Sequence, residues 1–155
     1  MLDTLGIMAH TLWNEEDRRA LDTRLARLRP DAKGLWGALD APRMLCHVTD
    51  AVRSATGDVP CTPKPSPLRY PVINSLVMFY LPWPKSAPTA PELISRQPGN
   101  WDVEVARFRS ALHDLMKRPR NGPWALHAAF GKLSGRQWGR LLYRHTDYHS
   151  KQFGV

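Results

Sequence analysis

Ser134-Gly135-Arg136-Gln137-Trp138, running through His145-Thr146-Asp147-Tyr148-His149 to Gly154-Val155, is the stretch on which the fold turns. Ser134 and Gln137 have capping-box spacing, in which two side chains satisfy free N–H groups at a helix start. Beyond them Trp138, Leu141, Leu142, His145, Tyr148, His149 and Gln152 recur every three or four residues, and a 3.6-residue turn stacks them on one face. Arg140, Arg144, Asp147 and Lys151 fall opposite. The stretch is one amphipathic helix with two histidines four residues apart on its apolar stripe. Two imidazoles in that register fit a shared divalent ion, or a pair packed in the core with a hydrogen bond.

The rest of the chain reads the same way. A helix is expected over about 15–29, capped by Asn14, acidic at Glu15, Glu16 and Asp17, with Leu21, Leu25 and Leu28 on one side and Pro30 as its stop. A second is expected over about 41–56, with Asp40 as cap, Pro42 in the first turn, an apolar stripe of Met44, Val48, Ala51, Val52 and Ala55, and Gly57 at its end. A short apolar helix over about 70–80 lies between two proline clusters, 60–67 and 82–88. The last expected segment, about 100–117, is capped by Asn100 and has Val103, Ala106, Phe108, Leu112 and Leu115 as apolar contacts. Alternating strand patterns are lacking. The expected architecture is all-α: a four-helix bundle, residues 1–155 as a single domain, with a long Pro-rich crossover connection.

Composition limits the function. A length of 155 residues and an apolar fraction of 43% suit one domain with a real core. Cys46 and Cys61 stand in no CxxC spacing, against a disulfide scaffold or a zinc knuckle, and a reducing cytoplasmic setting follows. The opening residues, Met1 to Gly6, place an acid where a secretory leader has a basic region. The most apolar run, Tyr70 to Trp83, is broken by Pro71, Asn74 and Pro82 and falls short of the roughly 20 residues of a membrane span. A net charge of +8 suits anionic ligands, but the basic residues are dispersed, which disfavours nucleic acid as a partner.

Of six histidines, His10 and His113 read as surface residues and His127 as part of a turn. The preferred third ligand is His47, at the edge of the second helix's stripe beside Asp50 and Arg43; a plain surface histidine fits that edge equally. Asp50 or Asp147 is the candidate to orient a ligand imidazole, although Asp147 faces outward on the wheel. Cys46 points about 100° from its neighbour His47, against a Cys–His nucleophilic pair.

Three passages carry a family resemblance. They are Leu35-Trp36-Gly37 with Met44-Leu45-Cys46-His47-Val48; Pro82-Trp83-Pro84-Lys85 with Pro88-Thr89-Ala90-Pro91-Glu92; and Phe130-Gly131-Lys132-Leu133-Ser134 with Trp138-Gly139-Arg140-Leu141, His145, His149 and Gln152-Phe153-Gly154. Together they resemble the DinB/YfiT-like superfamily of metalloenzymes, and more narrowly a bacterial DinB-like subgroup. The resemblance implies a four-helix bundle and a three-histidine site at His47, His145 and His149 for a divalent ion such as Zn, Ni or Mn. It also implies a homodimer. Some relatives are transferases or isomerases that use a low-molecular-weight thiol such as bacillithiol, mycothiol or glutathione. The expected activity is therefore a metal-dependent, thiol-dependent transferase acting on a small electrophile. The alternative is a non-catalytic helical binding or scaffold protein with a vestigial or empty metal site.

Overall fold

A computed structural model describes residues 9–85 and 87–155. The expectation about a leader, at residues 1–6, lies outside the described residues.

Among the described residues the chain is α-helical and has no strand, only two isolated bridges. Its helices are α1 (Glu15–Leu25), α2 (Ala41–Thr56), α3 (Pro71–Ser75), α4 (Trp101–Lys117) and α5 (Gly135–Gln152). α3 runs into a π-helical turn, Leu76–Tyr80, and 3-10 turns lie at Pro67–Arg69 and Pro91–Leu93. α2 has its most extensive contact with α4 and also packs on α5, while α1 lies along α5.

The helix starts follow the expected chemistry. Asn14, Asp40, Asn100 and Ser134 each accept hydrogen bonds from N–H groups of the first turn, and Ser134 with Gln137 completes the capping box. α1 stops four residues earlier than expected. From Ala26 the chain tightens, with Arg27 and Leu28 donating to the carbonyls of Arg24 and Leu25, and this turn still delivers Leu28 to the core.

α2 is buried on almost every side, which requires cover from several directions. α4 and α5 supply part of it, and the turn at Pro91–Leu93 supplies the rest. α5 buries Trp138, Leu141, Leu142, His149 and Gln152, most of the stripe read from the sequence. α1's approach is fixed where Trp13 Nε1 donates to the Gly135 carbonyl (2.8 Å) and the Leu12 N–H to the Gly139 carbonyl (3.0 Å). A side chain at Gly139 would overlap the Trp13 ring, so this crossing needs glycine.

Two expectations are corrected. Val103 and Ala106 of α4 are exposed; the buried positions are Glu104, Phe108, Ala111 and Leu115, spaced four, three and four. The core-facing stripe is rotated because it includes a carboxylate. Arg144, assigned to the outward face of α5, instead donates to the carbonyls of Val77 (3.3 Å), Met78 (2.7 Å) and Leu81. It thereby satisfies orphan carbonyls at the end of the π-helical turn.

Candidate metal centre

His47 lies mid-way along α2, and His145 and His149 face it from the C-terminal half of α5. The Nε2 atom of His145 is 2.9 Å from Nε2 of His47 and 3.1 Å from Nε2 of His149. The rings stand nearly perpendicular to one another, with interplanar angles of 88°, 81° and 78° for the three pairs. One nitrogen from each ring falls within 4.8 Å of the others. The structure thus gathers all three histidines singled out from the sequence.

His47 corrects the sequence reading in one respect. It is 3% exposed rather than set at an open edge. A helical wheel sees only the residues of α2, whereas the cover comes from the turn at Pro91–Leu93, some 45 residues on. The Leu93 carbonyl lies 3.1 Å from His47 Nδ1.

That contact sets the ring's protonation. A carbonyl only accepts, so His47 Nδ1 carries the proton and Nε2 presents a lone pair. The same logic applies to His149, whose Nδ1 lies 2.7 Å from Gln152 Oε1. The Gln152 amide is oriented in turn, because its Nε2 donates to the Trp36 carbonyl at 2.7 Å. Oε1 is left to accept from His149, and the His149 Nε2 lone pair also points at His145. A proton on His145 Nε2 cannot lie in line with both lone pairs, whereas one cation serves three nitrogens together.

Two of the three donor spacings, those about His145, fit such an ion as they stand. At bond lengths of about 2.0–2.1 Å, neighbouring nitrogen donors on one ion lie roughly 3 Å apart at a right angle and about 3.4 Å apart at the tetrahedral angle. The 2.9 and 3.1 Å spacings about His145 belong to that range. Burial keeps the rings unprotonated, as metal ligands must be. It lowers His47, against the pull of the Leu93 carbonyl and Asp50. It lowers His149 to about 4, with His47 adding to the shift and Gln152 opposing it. His145 is held well below the ordinary range by burial and then by its neighbours His47, His149 and His127.

The orienting groups are not the aspartates expected from the sequence. Asp50 takes Arg96 Nε at 2.9 Å and stands 3.6 Å from Arg53. Asp147 pairs with Arg24 (2.6 Å) and Lys151 (2.7 Å), tying α1 to α5. The groups that orient the imidazoles are the Leu93 carbonyl and Gln152. Gln152 falls on the histidine face of the sequence, three residues after His149, and that spacing is the signal for its role. A main-chain carbonyl leaves no such signal.

The 34–37 loop and the 82–85 segment shape the surroundings. Gly37 has φ +78°, and a Cβ there would sit 2.5 Å from Gln152 Nε2, so glycine lets the 34–37 loop reach the Gln152 amide. The Leu35 N–H also donates to the Gln152 carbonyl at 2.7 Å. Tyr148 packs edge-on to His149, accepts from Trp36 Nε1 (3.2 Å) and donates to the Pro84 carbonyl (3.0 Å). Trp83 lies 6.1 Å from His145, and its Nε1 donates to the Val77 carbonyl. Lys85 stands over the Trp36 ring. The PWPK segment is therefore an aromatic and cationic wall beside the histidines.

The remaining candidates behave as read. His10 pairs with Asp17 and stacks on Tyr143 at the surface, and His113 is exposed. His127 Nδ1 accepts from the N–H groups of Ala129 and Phe130 and closes a turn with Gly131, a structural part. Cys46 points toward α4, where its Sγ lies 3.4 Å from Glu104 Oε2, and burial pushes its thiol up to about 12. It is no nucleophile for the site. Two surface depressions, of about 550 and 270 Å³, are lined by other residues: one by Trp13 to Glu16 and Arg19, the other by α2 and α4 around Arg53 and Arg107. No helix among the described residues is long and apolar enough to cross a membrane.

Comparison with family models, with curated proteins and with solved structures finds no match to this chain.

Proposed function

We propose that this chain is a metal-dependent enzyme of DinB-like type, in which α1, α2, α4 and α5 form the four-helix bundle and His47, His145 and His149 hold one divalent ion. One observation carries the reading: two Nε2 lone pairs, each set by a hydrogen bond at the opposite ring nitrogen, converge on a third imidazole. Three neutral nitrogen donors leave the ion its full charge, and such an ion lowers the pKa of a bound water or thiol toward neutrality. The chain's own residues do the rest. Leu93 and Gln152 hold two ligand rings in register and in the right tautomer. Trp83 and Tyr148 screen the site, and Lys85 supplies a positive charge at its rim.

The proposed reaction class is thiol-dependent transfer to a small electrophile, supported by the neutral donor set, the resemblance and the +8 charge, which draws anionic thiols. A homodimer belongs to the same reading. Its support is the concentration of exposed Tyr70, Val72, Ile73, Leu76, Tyr80 and Leu81 along α3 and the π-helical turn, a face that a second copy would cover.

A second reading, a non-catalytic helical scaffold with an empty or vestigial site, is favoured by the packing of the crossover over the triad. Metal analysis of tag-free protein decides between them. The enzyme reading expects one zinc, nickel or manganese per chain, lost in His145→Ala. Less than about a tenth of an equivalent after metal addition would remove it.

A further inference from the structure

Asp50 and Glu104 are 2% and 0% exposed, yet both are carboxylates. One side chain joins them: Arg96 gives Nε to Asp50 Oδ2 (2.9 Å) and Nη1 to Glu104 Oε2 (2.7 Å). Glu104 also takes Arg107 Nη1 (2.7 Å) and the Gly99 N–H (2.9 Å). A buried charged network of this kind adds little net stability over an apolar one of equal volume, so its presence invites a search for what it positions.

The answer lies in what Arg96 is attached to. Arg96 is three residues beyond Leu93, whose carbonyl orients His47, and Asp50 is three residues beyond His47 on α2. The 3-10 turn at Pro91–Leu93 is short, with N–H groups of Leu93 and Ile94 bonded back to Ala90 and Pro91. Such a turn has too few bonds of its own to hold a carbonyl in a fixed place. Its N-terminal side is tied by Glu92 to the Thr62 N–H (3.0 Å), a contact within the crossover itself. On its C-terminal side, the guanidinium fork fastens it to α2 and α4.

We propose that Arg96 is a positioning residue for the metal centre: by clamping the 91–96 segment between Asp50 and Glu104, it holds the Leu93 carbonyl against His47 Nδ1 and so presents the His47 Nε2 lone pair to the ion. This rests on the metal reading for its consequence, but its structural content is testable in metal-free protein. Arginine is needed because its planar fork serves two carboxylates in fixed directions, which a lysine point charge does not. Arg107 is the internal control. It shares Glu104 but makes no hydrogen bond or ion pair with Asp50 or the 91–96 segment.

The test uses the full chain with zinc as probe. Ring ¹⁵N resonances of metal-free protein report the tautomer of His47, and competition with a chromogenic chelator reports zinc affinity. In the parent protein His47 is expected as the Nδ1–H tautomer. Arg96→Met and the milder Arg96→Lys are expected to give a mixture of tautomers and to weaken zinc about 10–100-fold, as loss of an outer-shell partner does. Arg107→Met is expected to leave both readings unchanged at whatever cost in melting temperature. The proposal is overturned if an Arg96 variant melts earlier yet keeps the parent tautomer and affinity, or if Arg107→Met shifts them equally. Should Arg96→Met not fold, Arg96→Lys carries the same two readings. If the parent protein binds no zinc, the metal reading falls, and the tautomer alone decides the role of Arg96.

Discussion

One turn of α2 feeds two buried polar clusters that solve the same problem in opposite ways. His47 enters the triad with His145 and His149; Asp50 and the neighbouring Cys46 enter the network with Arg96, Glu104 and Arg107. Both are taken out of water, where an unpaired charge is costly. The triad answers by discarding charge: burial drives its imidazoles to the neutral form. The network keeps its charges and pairs them. Burial by itself would raise Glu104, but hydrogen bonds from Arg96, Gly99 and Cys46 outweigh it and bring the carboxyl down to about 2. A cluster that has shed its protons and aims its lone pairs at one point has room for a cation. A cluster already balanced has none, and it serves as an anchor.

The largest expected effect breaks the anchor. Arg96→Met leaves two buried carboxylates without their shared partner and is expected to cost about 3–5 kcal/mol in chemical denaturation. A double change, Arg96→Met with Glu104→Leu, should recover part of that loss; no recovery would mean that the pairing is not what stabilises the site.

Acid separates the clusters by pH. Glu104 titrates near 2 in the fold against its ordinary 4.5, so its contribution, on the order of 3 kcal/mol, is present above pH 4.5 and lost as pH falls toward 2. In the triad His149 is lowered by burial to about 4 from 6.5 and His47 and His145 are lowered with it, as is His127 outside the triad, so the neutral-ring contribution is present above pH 6.5 and lost as pH falls toward 4. Denaturation of metal-free protein at a series of pH values is expected to show both declines. Glu104→Gln should shrink the lower decline, to which Asp147 with its Arg24 and Lys151 partners also contributes, and leave the upper one unchanged.

The triad is broken by His145→Ala, expected to reduce zinc affinity by more than the roughly 100-fold that bounds outer-shell changes, with a smaller effect on metal-free stability. Equilibrium dialysis checks the first and thermal melting the second. Gln152→Leu is gentler. It removes the acceptor of His149 Nδ1 and is expected to cost about 10-fold in affinity. Smallest of all, Cys46 should resist iodoacetamide at pH 8 in folded protein, because its thiol stays protonated to about 12.

Much of this was legible from residue spacing, and the exceptions have one cause. The α2 bounds and the N-caps of α1, α2, α4 and α5 follow from local chemistry, and the i, i+4 step of His145 and His149 from helix geometry. The α4 stripe was misread because Glu104 occupies a core position: a wheel built on hydrophobicity rejects a carboxylate, and only its partner Arg96, eight residues back in an irregular segment, makes it tolerable there. His47 looked peripheral for the same reason, its cover being supplied by Leu93. Asp50 and Asp147 were natural choices to orient an imidazole, but each already had an arginine. Irregular crossover backbone places its atoms by tertiary contact, and periodicity carries no record of that.

The two oriented imidazoles differ in what holds them. His149 leans on the Gln152 side chain, so a single codon can retune it; a carboxylate there would make the ring a stronger electron donor. His47 leans on a main-chain oxygen that every amino acid possesses. Its basicity can be adjusted only by relocating backbone, which makes one side of the centre easy to evolve or engineer and leaves the other hostage to the geometry of a distant turn.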